Sequence, residues 1–167
     1  MAFIVEDGTI VDGATSYVAE AFSDAYFTDL AVAEWTDATP SAKKAALVNG
    51  SEYASLRWGR ILSGVKMIST QPLEFPRYRC TDVTGGSTAL VPVAWKQAIC
   101  NYALQYLQNA LYQSTDVNDT RQVQSKSVTI GPIKTATTFT QKTVPRFPKA
   151  DRLASRYVYA VSQVIRN

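Results

Sequence analysis

Residues 92–111 read PVAWKQAICNYALQYLQNAL, and they decide the fold. A proline opens the run, where its fixed φ suits a helix start. Val93, Trp95, Ile99, Tyr102, Ala103, Tyr106, Leu107, Ala110 and Leu111 then recur at helical spacing. They cover more than one face. A helix that is apolar on most sides sits at the centre of a bundle or between subunits. The pattern predicts a helix over about 92–114.

Upstream, Thr39-Pro40 pairs a capping hydroxyl with a proline at the first helical position. The helix that follows is expected to reach about Arg57 and to pack through Ala42, Ala45, Ala46, Asn49, Tyr53 and Leu56. Gly50 is an interior weak point, worth ~1 kcal/mol against alanine. An earlier helix is expected at about 15–33, capped by Thr15 or Ser16, with Val18, Phe22, Ala25, Tyr26 and Leu30 on one face. Residues 1–14 read as irregular. Residues 58–91 hold Gly59, Gly64, Pro72, Pro76, Gly85 and Gly86, with no sustained period. They read as a long connection with one short helical turn near 70–74 and an exposed loop at 85–88.

Downstream the period changes. Residues 121–144 are rich in Val, Thr and Ser, with Gly131-Pro132 between two alternating runs. This is the pattern of a β-hairpin or extended arm. A lone two-stranded hairpin is marginal in water, so strand addition onto a neighbour would suit it, through Val128, Ile130, Ile133 and Phe139. Pro148 and Asp151 open a last helix with Leu153, Tyr157, Val161 and Val164 as its stripe. The expected fold is mainly α: a small bundle of about four helices, with a β-hairpin arm before the C-terminal helix. The divisions are a body at 1–120, an arm at 121–147 and a helical tail at 148–167.

The 167 residues include no histidine, which removes the commonest general base and metal ligand. Cys80 and Cys100 match no zinc spacing and read as buried free thiols. Gly85-Gly86-Ser87-Thr88 lacks the lysine and spacing of a phosphate loop. No constellation supports catalysis, a cofactor or a metal, so the expectation is a protein that is not an enzyme. No apolar run approaches the ~20 residues of a membrane helix, and the amino-terminal residues lack the basic stretch of a secretion signal.

Charge is uneven. Residues 1–40 hold Glu6, Asp7, Asp12, Glu20, Asp24, Asp29, Glu34 and Asp37 without a Lys or Arg; residues 121–167 hold nine basic residues against Asp151. The two ends either neutralise each other within one fold, or join the acidic face of one subunit to the basic arm of the next. The basic arm can also meet nucleic acid. Arg57-Trp58-Gly59-Arg60 and Arg77-Tyr78-Arg79 set arginines beside rings, as single-strand binders and protein interfaces both do.

Several segments together carry a resemblance. These are Ile4 to Thr9, Ser16-Tyr17-Val18, Ala25-Tyr26-Phe27, Ala45-Ala46-Leu47 with Tyr53 and Arg57, Gln71-Pro72-Leu73-Glu74-Phe75-Pro76-Arg77, Val91-Pro92-Val93, and Ile130 to Lys134. Across roughly residues 4–165 the chain resembles small phage neck proteins, labelled head–tail connector, adaptor or head-completion proteins, or DnaT-like single-stranded DNA-binding proteins. The Gln71–Arg77 segment is the most specific. The 81–91 loop is longer and the arm richer in Thr than the family pattern. The resemblance implies a structural adaptor of a tailed bacteriophage virion, assembled in the host cytoplasm as a ring of about twelve copies beneath the portal. Such a ring extends the DNA channel, with genomic DNA passing through without sequence-specific contact, and docks a tail, tail-completion or nozzle protein. By position, Arg156, Tyr157, Tyr159, Val161, Ile165 and Arg166 would meet the portal protein. The alternative is a single-stranded DNA-binding module using Arg57, Trp58, Arg60, Arg77, Tyr78 and Arg79.

Overall fold

The computed structural model describes residues 2–82, 84–88, 90–112, 125–130, 133–138 and 147–158; for 87–88, 125–130 and 133–138 it describes the backbone. Met1–Leu111 with Phe147–Asn167 form one compact unit, and Tyr112–Arg146 a second. The helices are α1 (Glu20–Asp29), α2 (Ala33–Thr36), α3 (Pro40–Trp58), α4 (Val93–Leu107) and α5 (Pro148–Ala154). Antiparallel strand pairs are β1 (Val65–Lys66) with β2 (Arg77–Tyr78), β3 (Cys80–Thr81) with β4 (Ser87–Thr88), and β5 (Ser125–Ile130) with β6 (Ile133–Thr138). The fold is mainly α, as its sequence predicts.

The central helix is α4. Trp95, Ala98, Ile99, Cys100, Asn101, Tyr102 and Ala103 are all buried. Pro92 stands just before the helix as its extended N-cap, not inside it. The helix ends at Leu107, short of the expected 114, because Asn109 turns left-handed at φ 55°. The Ala110 amide then donates to Gln105 O at 2.8 Å and the Asn109 amide to Tyr106 O at 2.9 Å. That pair of bonds is a Schellman close, which satisfies the last carbonyls and diverts the chain.

Helix α3 begins as its sequence predicts, with the Thr39 hydroxyl accepting from the Ala42 amide at 3.3 Å. Its packing face matches the expected one only in part, at Ala46 and the half-buried Tyr53. Ala46, Leu47, Gly50, Ser51 and Ala54 are buried, whereas Leu56 is 72% exposed. Gly50 sets that rotation. A Cβ there would lie 2.9 Å from Ala103 N and 3.0 Å from Ile99 O, so α3 and α4 meet backbone to backbone at this point.

The first helix is shorter than the expected 15–33. Thr15 and Ser16 do not cap it. The Thr15 hydroxyl accepts from the Ile4 amide and donates to Ala2 O, and Ser16 pairs with Val5 in a parallel bridge. The chain before α1 is thus a tied loop. The buried Glu6 carboxylate closes it by accepting from the amides of Gly8, Ile10 and Val11. Ala31 at φ 52° ends α1 and sets off the one-turn α2.

The expected helical turn near 70–74 does not form. The buried Gln71 side chain organises the segment instead. Its amide nitrogen donates to Leu73 O and Pro76 O, and its oxygen accepts from the Ile68 amide. This presents Phe75 to the core, where it meets Tyr17, Trp95 and Tyr157 at centroid distances of 6.4, 5.0 and 6.1 Å.

At the C-terminal end, α5 runs on as a 3-10 turn over Ser155–Tyr157, and Val158 is extended and bridges Leu62. Of the expected stripe, Leu153 and Tyr157 lie in these elements; Val161 and Val164 lie outside the described residues. In the second unit, β5 and β6 pair from Ser125 opposite Thr138 to Ile130 opposite Ile133. The predicted hairpin forms, with Gly131-Pro132 outside the described residues.

Candidate nucleic-acid interface

Of the six arginine and aromatic residues proposed from sequence, three are structural. Arg57 leaves α3 to pair with Asp151 at 2.7 Å, and its guanidinium lies 5.2 Å from the Trp58 ring centroid. Asp151 also accepts from the Tyr102 hydroxyl at 2.6 Å and the Phe147 amide at 3.1 Å. Trp58 donates its indole N–H to Tyr102 Oη at 2.9 Å. Burial, then the bond to Asp151, pushes the Tyr102 phenol well above its ordinary pKa. This network fastens α5 to α3 and α4, and it engages Arg57 and Trp58 in doing so.

Arg77 is engaged more completely. It is 6% exposed. It donates to the carbonyls of Ser63 and Gly64 and to Glu74 Oε2, each within 2.9 Å. Lys66 pairs with the other Glu74 oxygen at 3.2 Å. Such an arginine closes a loop and has no donors to offer a ligand.

The remaining three point outward. Arg60 is exposed on the turn after α3, and Tyr78 is 59% exposed opposite Val65, itself 62% exposed. Arg79 follows, exposed and left-handed at φ 54°. Gly64, also left-handed, allows this kink: a Cβ there would lie 2.7 Å from Cys80 N. Met67 and Ile68 add exposed apolar surface on the same segment.

Among the adaptor assignments, Tyr157 is buried against Phe75 and so is not free to face a portal. Arg156 is exposed. Tyr159, Val161, Ile165, Arg166 and Phe139 lie outside the described residues, as do the side chains of Val128, Ile130 and Ile133.

A second cationic surface was missed. Tyr26 of α1, Gln97 of α4, and Lys149, Arg152, Leu153 and Arg156 line a cleft of about 550 Å³. Its signal was present in the sequence: Lys149, Arg152 and Arg156 stand at i, i+3 and i+7, which is one helical face.

Part of the charge asymmetry is met locally. Glu20 and Asp24 pair with Lys44 and Lys43 of α3, at 3.5 and 2.9 Å. Burial raises the Asp24 pKa, but the bonds from Lys43 and Trp35 outweigh it and hold the carboxyl below its usual range. The first unit carries twelve Lys and Arg against twelve Asp and Glu; the second carries five against Asp116 and Asp119. The chain's net positive charge thus belongs to the hairpin unit.

Both cysteines are buried and free, and burial pushes the Cys100 thiol up to about 12. No cluster of His, Cys, Asp and Glu suited to a metal, and no helix long and apolar enough to cross a membrane, occurs among the described residues.

The fold defines a small, mainly α domain with a separate β-hairpin unit, and its surface offers cations that have no ion pair among the described residues, one of them beside the exposed Tyr78 ring. The chain belongs to the family described as "Putative DnaT-like ssDNA binding protein", whose model matches residues 1–166. No curated protein and no solved structure matches it.

Proposed function

We propose that this protein binds single-stranded DNA without base preference and is not an enzyme. The observation that carries the reading is the exposed pair Tyr78–Arg79, a ring and a cation side by side on a backbone kink that Gly64 holds. Every base has a π-face for such a ring, and every linkage has a phosphate for the cation. The family description supports the same reading. Filter binding of oligothymidylate to the whole chain tests it. The expected result is sub-micromolar affinity that falls steeply between 50 and 200 mM salt, on the order of tenfold or more. Tyr78→Ala with Arg79→Ala weakens it. Affinity that is absent at low salt would sink the reading.

A second reading is a phage neck adaptor that assembles as a ring beneath a portal. One observation favours it: Ser125–Thr138 form a two-stranded hairpin in a unit of its own, and such a pair needs another surface to be stable. Asp12, Asp29, Glu34 and Asp37 are exposed and carry no ion pair among the described residues, so a neighbour's basic hairpin has acids to meet. Sedimentation of the purified chain separates the readings. A large closed assembly supports the ring; a monomer at all concentrations and salts argues against it.

A further inference from the structure

We propose that the cleft between α1, α4 and α5 is a nucleotide subsite, taking one phosphate and one base of a bound single strand. The inference rests on the single-strand reading and places a second contact at a site unrelated to Tyr78 and Arg79.

Three features make the cleft a nucleotide site and not a generic basic surface. The first is unneutralised charge. Lys149, Arg152 and Arg156 share one face, and none has a salt bridge among the described residues. The nearest acid in sequence, Asp151, points the other way and is bound by Arg57, Tyr102 and the Phe147 amide. Asp82 feels Arg156 only weakly; its oxygen is held first by the Thr84 hydroxyl and then by the Gly86 and Thr84 amides. Two guanidiniums and an ammonium lining one cleft supply the charged donors that phosphate oxygens accept.

The second feature is a ring whose position is fixed. The Tyr26 hydroxyl accepts from Asn101 Nδ2 at 3.0 Å, and its ring lies edge-on to Phe27 at 5.1 Å. Lys149 Nζ stands 5.5 Å from the ring centroid. A base stacked on Tyr26 would take the ammonium's place and free it to reach a phosphate. The third feature is size and lining. About 550 Å³ falls within the range of small-ligand sites, and Leu153 and the Gln97 amide supply an apolar contact and a hydrogen-bonding edge. An acidic peptide would use the cations and leave the Tyr26 ring and Leu153 unfilled.

The test is ultraviolet cross-linking of oligothymidylate to the whole chain, with the attached peptide mapped by mass spectrometry, alongside affinities for the wild type and Lys149→Glu with Arg152→Glu. The expected results are a cross-link at Tyr26 and an affinity loss of about tenfold or more at low salt. The thermal midpoint should not change, since both side chains are exposed. Unaltered affinity in the double variant, or cross-links only at Tyr78, overturns the subsite and leaves the single-strand reading standing. Failure of the wild-type chain to bind any oligonucleotide overturns both. A loss of affinity with Tyr26 cross-linked supports both.

Discussion

Arg77 and Arg152 sit in comparable sequence settings, a basic residue close to an aromatic or apolar partner, yet the fold uses them in opposite ways. Around Arg77 the chain doubles back, and the Ser63 and Gly64 carbonyls and the Glu74 carboxylate converge on one guanidinium. Around Arg152 the chain is a short helix whose own carbonyls are engaged, and the one neighbouring acid faces the core. What separates the two is the supply of unsatisfied acceptors. A loop such as 62–77 has carbonyls without intrachain partners, and these draw in a cation. On α5 no carboxylate or carbonyl among the described residues engages the Arg152 side chain, so it stays available to a ligand, whereas Asp151 engages Arg57 of α3.

The strongest way to break this comparison is Arg77→Ala. Removal leaves the Ser63 and Gly64 carbonyls without their donor and leaves the half-buried Glu74 carboxylate to Lys66 alone. Each inward carbonyl left without a partner costs about 1–3 kcal/mol, together a large part of what holds a domain of this size together. Urea denaturation should show the unfolding free energy lowered by that amount, with the midpoint falling in proportion, together with loss of the Phe75 packing. A change under about 1 kcal/mol would mean that water takes over the carbonyls and that Arg77 is not structural.

Gly50→Ala comes next and sharpens the contrast from the helical side. By propensity alone, alanine should stabilise α3 by ~1 kcal/mol. The structure predicts the opposite sign, because the new Cβ meets Ala103 N at 2.9 Å and Ile99 O at 3.0 Å, both backbone. Overpacking of this kind costs about 1–3 kcal/mol, so the thermal midpoint should fall by several degrees. A rise would show that α3 can move off α4 at little cost, and that the buried face through Ala46 and Ala54 is not fixed by Gly50.

How much could be read beforehand follows the same line. The Thr39 cap, the burial of α4 on most sides and the paired strands around Gly131-Pro132 were all legible, since each depends on neighbours within a few residues. The boundaries that failed depend on distant ones. Ser16 looked like a helix cap but pairs with Val5, and α4 stops where Asn109 turns left-handed despite apolar residues beyond it. Gly50 read as a weakness because its partner, the Ala103 backbone, is far along the chain. The candidate site was half legible. Arginines beside rings were visible at 57–60 and 77–79, but which of them face inward depends on Asp151, Glu74 and the 63–64 carbonyls. The cleft at Lys149, Arg152 and Arg156 showed its helical spacing, but not that Tyr26 and Gln97 come from two other helices to line it.

The smallest expected effect is the most discriminating. Arg152→Ala removes an exposed side chain with no ion pair among the described residues, so the stability change should stay within about 0.5 kcal/mol. The substitution compares directly with Arg77→Ala under one set of denaturation conditions, because both delete the same group. Removing a like-charged neighbour could even stabilise the face slightly, since Lys149 and Arg156 repel Arg152 across one helical surface. A loss of 2 kcal/mol or more would place an unseen acceptor on Arg152 and make the face structural. A neutral result leaves Arg152 held beside two like charges with no benefit to the fold, which is the condition expected of a residue that serves an anionic partner.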